Sequence, residues 1–270
     1  MKKINFKTEI LVLVFFFVSN ILLAQQQELY EEAFFIQQGD TLKYRIMFPK
    51  DFSKEKQYPL VLFLHGAGER GNDNKTQLVH GSKLFASEMN RDSFPAIVIF
   101  PQCPKNDYWA NAIVDRSTKP LTLNFPLNIA PTKSLKLVME FMDDYTNNSF
   151  VKKEQVYVGG LSMGGMGTFE ILYRKSNMFA AAFTICGAGN PAATKKYATK
   201  TALWVFHGAK DDVVNPQASI NMVSGILKYG GKPNFTLFAD DNHNSWDSAF
   251  AQSELLPWLF SKSKSIKNEK

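Results

Sequence analysis

Cysteine and histidine are both rare in this 270-residue chain. The two cysteines, Cys103 and Cys186, allow at most one disulfide, and no Cys-x-x-Cys pair is present. None of the four histidines belongs to a His-Glu-x-x-His sequence, which holds zinc in metalloproteases. The sequence therefore predicts no metal site.

A hydrophobic run long enough to cross a bilayer is also missing. The apolar run over residues 10–24 contains two polar residues and is shorter than the roughly 20 residues that a spanning helix needs. Three lysines precede the run, and three glutamines follow it. This arrangement predicts a signal peptide over 1–24 that is cut after Ala24. A retained membrane anchor is the alternative, because Leu22 stands where a small residue is more usual.

The excess of positive charge is confined to the two ends of the chain. Of the formal charge of +6, residues 1–24 carry +2 and residues 261–270 carry +3, so the rest is nearly neutral. This distribution implies no basic face and no nucleic-acid partner. A hydrophobic fraction of 45% indicates a folded chain. We expect one globular domain over 25–260 and a basic, disordered tail over 261–270.

Short apolar runs alternate with helical patterns along most of the chain. Strands are predicted over 29–36, 41–48, 58–64, 96–100, 155–158, 180–186, 203–206 and 235–238. Helices are predicted over 77–89, 132–145, 163–174, 216–229 and 246–260. The alternation predicts an α/β fold with a mostly parallel central sheet and helices on both faces. Functional residues are then expected at the carboxyl ends of the strands.

One long segment, residues 101–131, shows no regular period. It contains five prolines together with Tyr108, Trp109 and Phe125. Long irregular segments in compact domains are usually lids or binding loops. Its aromatic side chains are suited to stack on a sugar or an aromatic group. Packing of the same side chains onto the body of the domain is the alternative.

A Gly-x-Ser-x-Gly sequence joins a predicted strand to a predicted helix at Gly160, Ser162 and Gly164. A serine on such a sharp turn projects above the edge of the sheet, where it can act as a nucleophile. The strand and helix pass so close that side chains two positions before and after the serine would clash. The sequence therefore predicts a nucleophile elbow at Ser162.

The base that Ser162 requires is predicted to be His243. This histidine lies in a polar loop after the last strand, and it alone follows both the serine and an acid, the order found in hydrolases with such an elbow. His65 and His207 each precede a glycine at a strand end, where packing or hydrogen bonding to the loop is expected. His80 is expected at the surface. Two neighbouring acids at positions 211 and 212 follow the strand over 203–206, and spacing alone does not separate them.

A hydrolase of this kind also needs backbone amides that stabilise a developing oxyanion. The first is expected to be the amide of Met163, which follows the serine. The second should come from the glycine-rich loop over 65–68, where we select the amide of Ala67. An ordinary tight turn is the alternative for this loop.

Four motifs together resemble the phospholipase/carboxylesterase and feruloyl-esterase-like group of α/β-hydrolases, some of which are carbohydrate esterases. The motifs are His65-Gly66-Ala67-Gly68-Glu69-Arg70-Gly71, Gly160-Leu161-Ser162-Met163-Gly164-Gly165, His207-Gly208-Ala209-Lys210-Asp211 and His243-Asn244-Ser245-Trp246. The resemblance spans roughly 58–260. It makes 25–260 an α/β-hydrolase catalytic domain and selects Asp211 over Asp212 as the acid.

The resemblance implies hydrolysis of carboxylic esters by Ser162, Asp211 and His243 without metal or cofactor. The substrate is expected to be a small-molecule or polysaccharide-linked ester, such as a feruloyl or acetyl ester, held beside Trp109 and Trp246. With the signal peptide, it implies a periplasmic or extracellular enzyme without a stable membrane anchor. A serine peptidase of the prolyl-oligopeptidase type and a non-catalytic binding protein on the same scaffold are the alternatives. The usual strand order of this fold also separates the two cysteines.

Overall fold

The computed structural model describes residues 28–265, which form a central sheet with helices on both faces. The strands are β1 Glu31–Gln37, β2 Asp40–Met47, β3 Tyr58–Leu64, β4 Ile97–Pro101, β5 Ile113–Asp115, β6 Thr122–Asn124, β7 Val151–Leu161, β8 Ala181–Ile185, β9 Ala202–Gly208 and β10 Asn234–Phe238. The helices are α1 Ser82–Ala86, α2 Glu88–Ser93, α3 Lys133–Tyr145, α4 Met163–Arg174, α5 Gln217–Lys228, α6 Trp246–Phe250 and α7 Leu255–Phe260. Short 3-10 turns occupy Ala67–Glu69, Thr76–Leu78 and Pro191–Lys196.

Eight strands form the central sheet in the order β1-β2-β4-β3-β7-β8-β9-β10. Six of them, from β4 to β10 in that order, pair in parallel, and β2 pairs antiparallel with both of its neighbours. The mostly parallel α/β sheet predicted from the sequence is therefore confirmed. Since the parallel strands point the same way, the loops after β3, β7, β9 and β10 meet at one edge of the sheet.

The core lies on both faces of the sheet, and the inner strands β3 and β4 are apolar at every position. Along β3, Leu60 and Leu62 pack in a cluster with side chains of α3, α4 and α5. The intervening Val61 and Phe63 pack on the opposite face with side chains of α1, α6 and α7. A strand covered on both faces reads as a continuous apolar run, which is why β3 was predictable from sequence.

Three helix and loop predictions need correction. The helix predicted over 246–260 is two helices, because Pro257 lacks an amide hydrogen and fits only in the first turn of α7. The helix predicted over 77–89 is a 3-10 turn followed by α1 and α2, and Gly81 interrupts it with a φ of 83°. The segment 101–131 contains an antiparallel hairpin, β5–β6, whose strands of three residues are too short to show a period.

The boundary predicted at Ser261 also needs correction. The Tyr157 hydroxyl donates to the Lys262 carbonyl oxygen at 2.7 Å. The Lys264 amide donates to the Glu154 carbonyl oxygen at 2.9 Å. The chain thus continues along β7 to residue 265, and the predicted disordered tail can begin only beyond it, outside the described residues.

The predicted signal peptide over 1–24 likewise lies outside the described residues. Within residues 28–265, no helix is long and apolar enough to span a bilayer. The two cysteines are buried and unpaired. Cys103 follows β4 and Cys186 follows β8, and two further strands lie between β4 and β8 in the sheet. Three spacings of about 4.8 Å exceed the reach of a disulfide.

Candidate active site

Ser162 occupies a strained turn between β7 and α4. Its φ of 52° and ψ of −116° lie in a region that residues other than glycine rarely adopt. A Cβ atom on Gly164 would stand 1.9 Å from the Leu64 carbonyl oxygen, and one on Gly160 would stand 2.4 Å from the Gly164 carbonyl oxygen. Both glycines are therefore required by the close passage of α4 over the sheet, as the elbow motif predicts.

His243 connects Ser162 to Asp211 through two hydrogen bonds. The His243 Nε2 atom lies 3.0 Å from the Ser162 Oγ atom. Its Nδ1 atom lies 2.8 Å from the Asp211 Oδ2 atom. Ser162 follows β7, Asp211 follows β9 and His243 follows β10, so three parallel strands deliver the three side chains to one edge. This linear order permits the histidine to accept a proton from the serine.

The structure brings Asp211, and not Asp212, to the histidine. The Asp211 carboxylate is fully buried, whereas Asp212 is exposed. The Asp211 Oδ1 atom accepts hydrogen bonds from the Val213 and Val214 amides, each at 2.9 Å. Burial by itself would raise the pKa of Asp211. Hydrogen bonds from His207 and His243 outweigh that effect and hold the pKa well below its usual range.

A second histidine supports the same carboxylate from the other side. The Nε2 atom of the fully buried His207 lies 3.1 Å from the Asp211 Oδ2 atom and 2.9 Å from the Val214 carbonyl oxygen. Its Nδ1 atom lies 2.7 Å from the Ser219 hydroxyl. His207 thus hydrogen-bonds the loop, as its position before a glycine indicates, and it also orients Asp211.

His65 holds the loop that follows β3. Its Nδ1–H group donates to the Gly66 carbonyl oxygen at 2.7 Å, and its Nε2 atom accepts from the Cys103 amide at 3.0 Å. Burial lowers the pKa of His65 to about 4, so the ring is neutral near pH 7. With both nitrogens engaged in the loop, His65 cannot serve as the base for Ser162.

Two backbone amides beside Ser162 are suited to bind an oxyanion. Met163 is the first residue of α4, and Ala67 is the first residue of the 3-10 turn after β3. The first amides of a helical segment have no partner within that segment. Ala67 lines the pocket at Ser162, and the Met163 amide adjoins the serine. These are the two donors that the sequence predicts.

A pocket of about 220 Å³ opens at Ser162. Trp246 lines it, with its ring centroid 5.6 Å from that of His243. The other lining side chains come from the loops after β3, β9 and β4: Glu69, Tyr108, Arg116, Leu121, Val213 and Val214. The β5–β6 hairpin is tied to this wall by the Leu121 amide, which donates to the Val213 carbonyl oxygen at 2.9 Å.

Comparison with known proteins agrees with this geometry. A solved structure of a thermostable esterase is 32% identical to this chain, with a TM-score of 0.79 over 89% of it. The chain has the α/β-hydrolase fold. Its residues 128–254 match the phospholipase/carboxylesterase family. The predicted resemblance and fold are thereby confirmed.

Two further relatives extend the comparison. The bifunctional acetylxylan esterase/xylanase XynS20E of Neocallimastix patriciarum is 32% identical to this chain over 101 residues, which are 37% of it. A ferulic acid esterase shares its fold at 18% identity, with a TM-score of 0.62 over 86% of this chain and 98% of that one. The chain spans 64% of the thermostable esterase and 14% of the acetylxylan esterase/xylanase, so both are longer.

The prediction that Trp109 binds substrate is wrong. Its side chain is fully buried, and its Nε1–H group donates to the His65 carbonyl oxygen at 3.1 Å. A Cβ atom on Gly167 would stand 2.5 Å from the Trp109 Cβ atom, so the indole is wedged against α4. Trp109 therefore packs its loop onto the body, and the neighbouring Tyr108 lines the pocket instead.

Within residues 28–265, one group of side chains has a spacing that could hold a metal ion. The ligand atoms of Cys186, Asp211 and His243 lie within 4.8 Å of one another. Burial and the nearby Asp211 charge raise the pKa of Cys186 far above its ordinary value.

Sequence reasoning missed three polar side chains near the pocket. Glu69 and Arg116 line it, and His80, expected at the surface, lies beside Glu69 and Trp246. Glu69 belongs to the glycine-rich loop motif, which was a signal for its proximity. No local pattern marks Arg116 or His80, because only the folded hairpin and α1 region bring them there.

Proposed function

We propose that this protein is a serine esterase that cleaves carboxylic esters through an acyl-enzyme. The hydrogen-bonded chain from Asp211 through His243 to Ser162, at the base of a pocket flanked by two free amides, carries the proposal. His243 takes the proton as Ser162 Oγ attacks the ester carbonyl carbon, and the oxyanion sits on the Ala67 and Met163 amides.

Three further proton transfers complete the reaction. The protonated His243 gives its proton to the leaving alcohol oxygen as the ester bond breaks. A water molecule next loses a proton to His243 and attacks the acyl carbon, and His243 returns that proton to Ser162 Oγ as the bond to the serine breaks and the acid leaves. Asp211 stays ionised throughout, since its low pKa lets it stabilise the imidazolium without accepting the proton.

The substrate class that we propose is an acetyl or feruloyl ester on a polysaccharide. The acetylxylan esterase/xylanase relative supports the acetyl ester, and a pocket lined by Tyr108 and Trp246 offers aromatic surface to a sugar or a feruloyl ring. Initial rates on acetylated xylan, methyl ferulate, an aryl acetate and a peptide amide test the proposal. Faster cleavage of the amide than of every ester would favour a peptidase instead.

We also propose that the protein is exported. The basic start, the apolar run over 10–24 and the following glutamines support a signal peptide. Expression of the full chain in a bacterium should yield a mature protein that begins at Gln25, found in the periplasm or medium. Intact mass spectrometry of each cell fraction measures this. A full-length precursor that stays with the membrane would instead indicate a retained anchor.

The activity should depend on pH through one base. His243 must be neutral to accept the Ser162 proton, so kcat/KM for a neutral ester should fall toward acid as this one base takes up a proton. The pKa of Asp211 is held low, so this carboxylate stays ionised while the activity falls. Its contribution to stability is complete above about pH 4 and lost only below it, so the fold should stay intact.

Two histidine variants identify the group whose protonation lowers the activity at acid pH. His243→Gln should abolish turnover at every pH. His80→Gln should leave unchanged the pH at which half of kcat/KM is lost. A rate profile from pH 4.5 to 9, with circular dichroism at each end, measures both. If His243→Gln kept near-full activity with the same dependence of kcat/KM on pH, the base would be another histidine.

A further inference from the structure

We propose that Glu69 binds hydroxyl groups of the alcohol part of the substrate, which makes it a specificity residue for sugar esters. The inference rests on the proposed function and names its substrate class. Glu69 lines the same pocket as Ser162. Its Oε2 atom is buried and has no hydrogen-bond partner within the part of the chain that the structure describes.

The chemistry of this oxygen defines what it can bind. An ionised carboxylate only accepts hydrogen bonds, so its partner must be a donor. A buried acceptor left without a partner is costly, and native proteins rarely retain one unless a ligand or water supplies the missing donor. Sugar hydroxyls supply several donors close together. An acetyl or feruloyl acyl group offers fewer or none, which points to the alcohol side of the ester.

The position of Glu69 fits contact with the alcohol. Glu69 ends the 3-10 turn that Ala67 begins, so the acceptor lies two residues from a proposed oxyanion amide. The carboxylate folds back over the loop, since a Cβ atom on Gly66 would stand 2.8 Å from its Oε2 atom. An ester whose carbonyl oxygen binds the Ala67 amide would therefore lie in the same small pocket as Glu69.

The His80 and Trp246 rings connect Glu69 to His243, the proposed base. The His80 Nε2 atom lies 3.8 Å from the Glu69 Oε1 atom. The His80 and Trp246 rings are 5.0 Å apart, and the Trp246 and His243 rings are 5.6 Å apart. An indole face beside a hydroxyl acceptor suits a pyranose, which presents apolar C–H groups on its faces and hydroxyls at its rim.

A cationic ligand is the other class of donor that a carboxylate attracts. Arg116 lines the same pocket, and it belongs to the hairpin rather than to the Glu69 loop. Within residues 28–265, Arg116 forms no ion pair. A positive charge at the pocket disfavours an ammonium group on the substrate. Uncharged hydroxyl donors therefore fit this pocket better.

Glu69→Gln separates this role from a structural one. The substrates are acetylated xylo-oligosaccharides and 4-nitrophenyl acetate, which share the acetyl group and differ in the alcohol. We expect KM for the sugar ester to rise about 10-fold or more, the size expected for loss of a charged hydrogen bond. We expect kcat/KM for the aryl ester to stay within about twofold. Glu88→Gln, an exposed glutamate outside the pocket, is the matched control.

A binding measurement tests the same inference without turnover. Xylotriose is titrated calorimetrically into Ser162→Ala and into Ser162→Ala combined with Glu69→Gln. We expect at least about 10-fold weaker binding in the double variant, even if the wild-type protein cleaved no ester and the proposed function failed. A parallel fall in kcat on both esters would give Glu69 a purely structural role. Equal xylotriose binding by both variants would overturn the inference.

Discussion

Ser162→Ala is expected to lower kcat on an aryl ester by about 10³-fold or more. The substitution removes the Oγ atom that attacks the carbonyl carbon, and loss of a triad serine in a known hydrolase costs on the order of 10⁶ in kcat. The residual rate would come from the pocket and the Ala67 and Met163 amides, which stabilise attack by water. Initial rates at saturating substrate measure the effect.

The fold should survive this change. A φ of 52° strains the backbone of alanine and of serine to a similar degree. The packing around this turn depends on Gly160 and Gly164 rather than on the serine hydroxyl. Thermal unfolding followed by circular dichroism should therefore match that of the wild type. Ser224→Ala, on the exposed side of α5, is the matched control. Activity above a tenth of the wild-type value would remove Ser162 from the mechanism.

Asp211→Asn is expected to lower kcat about 10⁴-fold, by analogy with the same substitution in a serine protease. The Asn amide group would present hydrogens toward His243 Nδ1 and favour the tautomer that cannot accept the Ser162 proton. His207 adds to the effect, because its Nε2 atom also faces the Asp211 Oδ2 atom. Turnover of an aryl ester between pH 6 and 9 measures the loss.

The neighbouring acid provides the control. Asp212 is exposed, and its backbone amide donates to the Asn242 Oδ1 atom at 3.0 Å. Asp212→Asn should therefore change kcat by no more than about twofold. The reverse ranking of the two variants would assign the acid to Asp212.

The elbow was predictable from sequence because its constraint is local and steric. The Gly160 and Gly164 positions follow from a backbone approach that any side chain would block, and the structure shows that approach at the Leu64 and Gly164 carbonyls. The buried strands were predictable for a related reason, since a strand covered on two faces must be apolar throughout.

Other parts of the site depend on contacts between distant segments. Spacing did not separate Asp211 from Asp212, because two adjacent loop residues differ only in which one the folded loop buries. Trp109 was expected beside the substrate, although its indole packs against α4 through Gly167. Glu69 and Trp246 are 177 positions apart and meet through His80, and no period in the sequence encodes that meeting.

The central claim is that Ser162 is an activated nucleophile, and covalent labelling tests it most directly. The mature protein is incubated with a fluorophosphonate, and intact mass spectrometry with peptide mapping locates the adduct. We expect one adduct per chain, on Ser162, with no labelling of Ser162→Ala and much slower labelling of Asp211→Asn and His243→Gln. A folded protein that took up no label, or that carried it on another residue, would contradict the account.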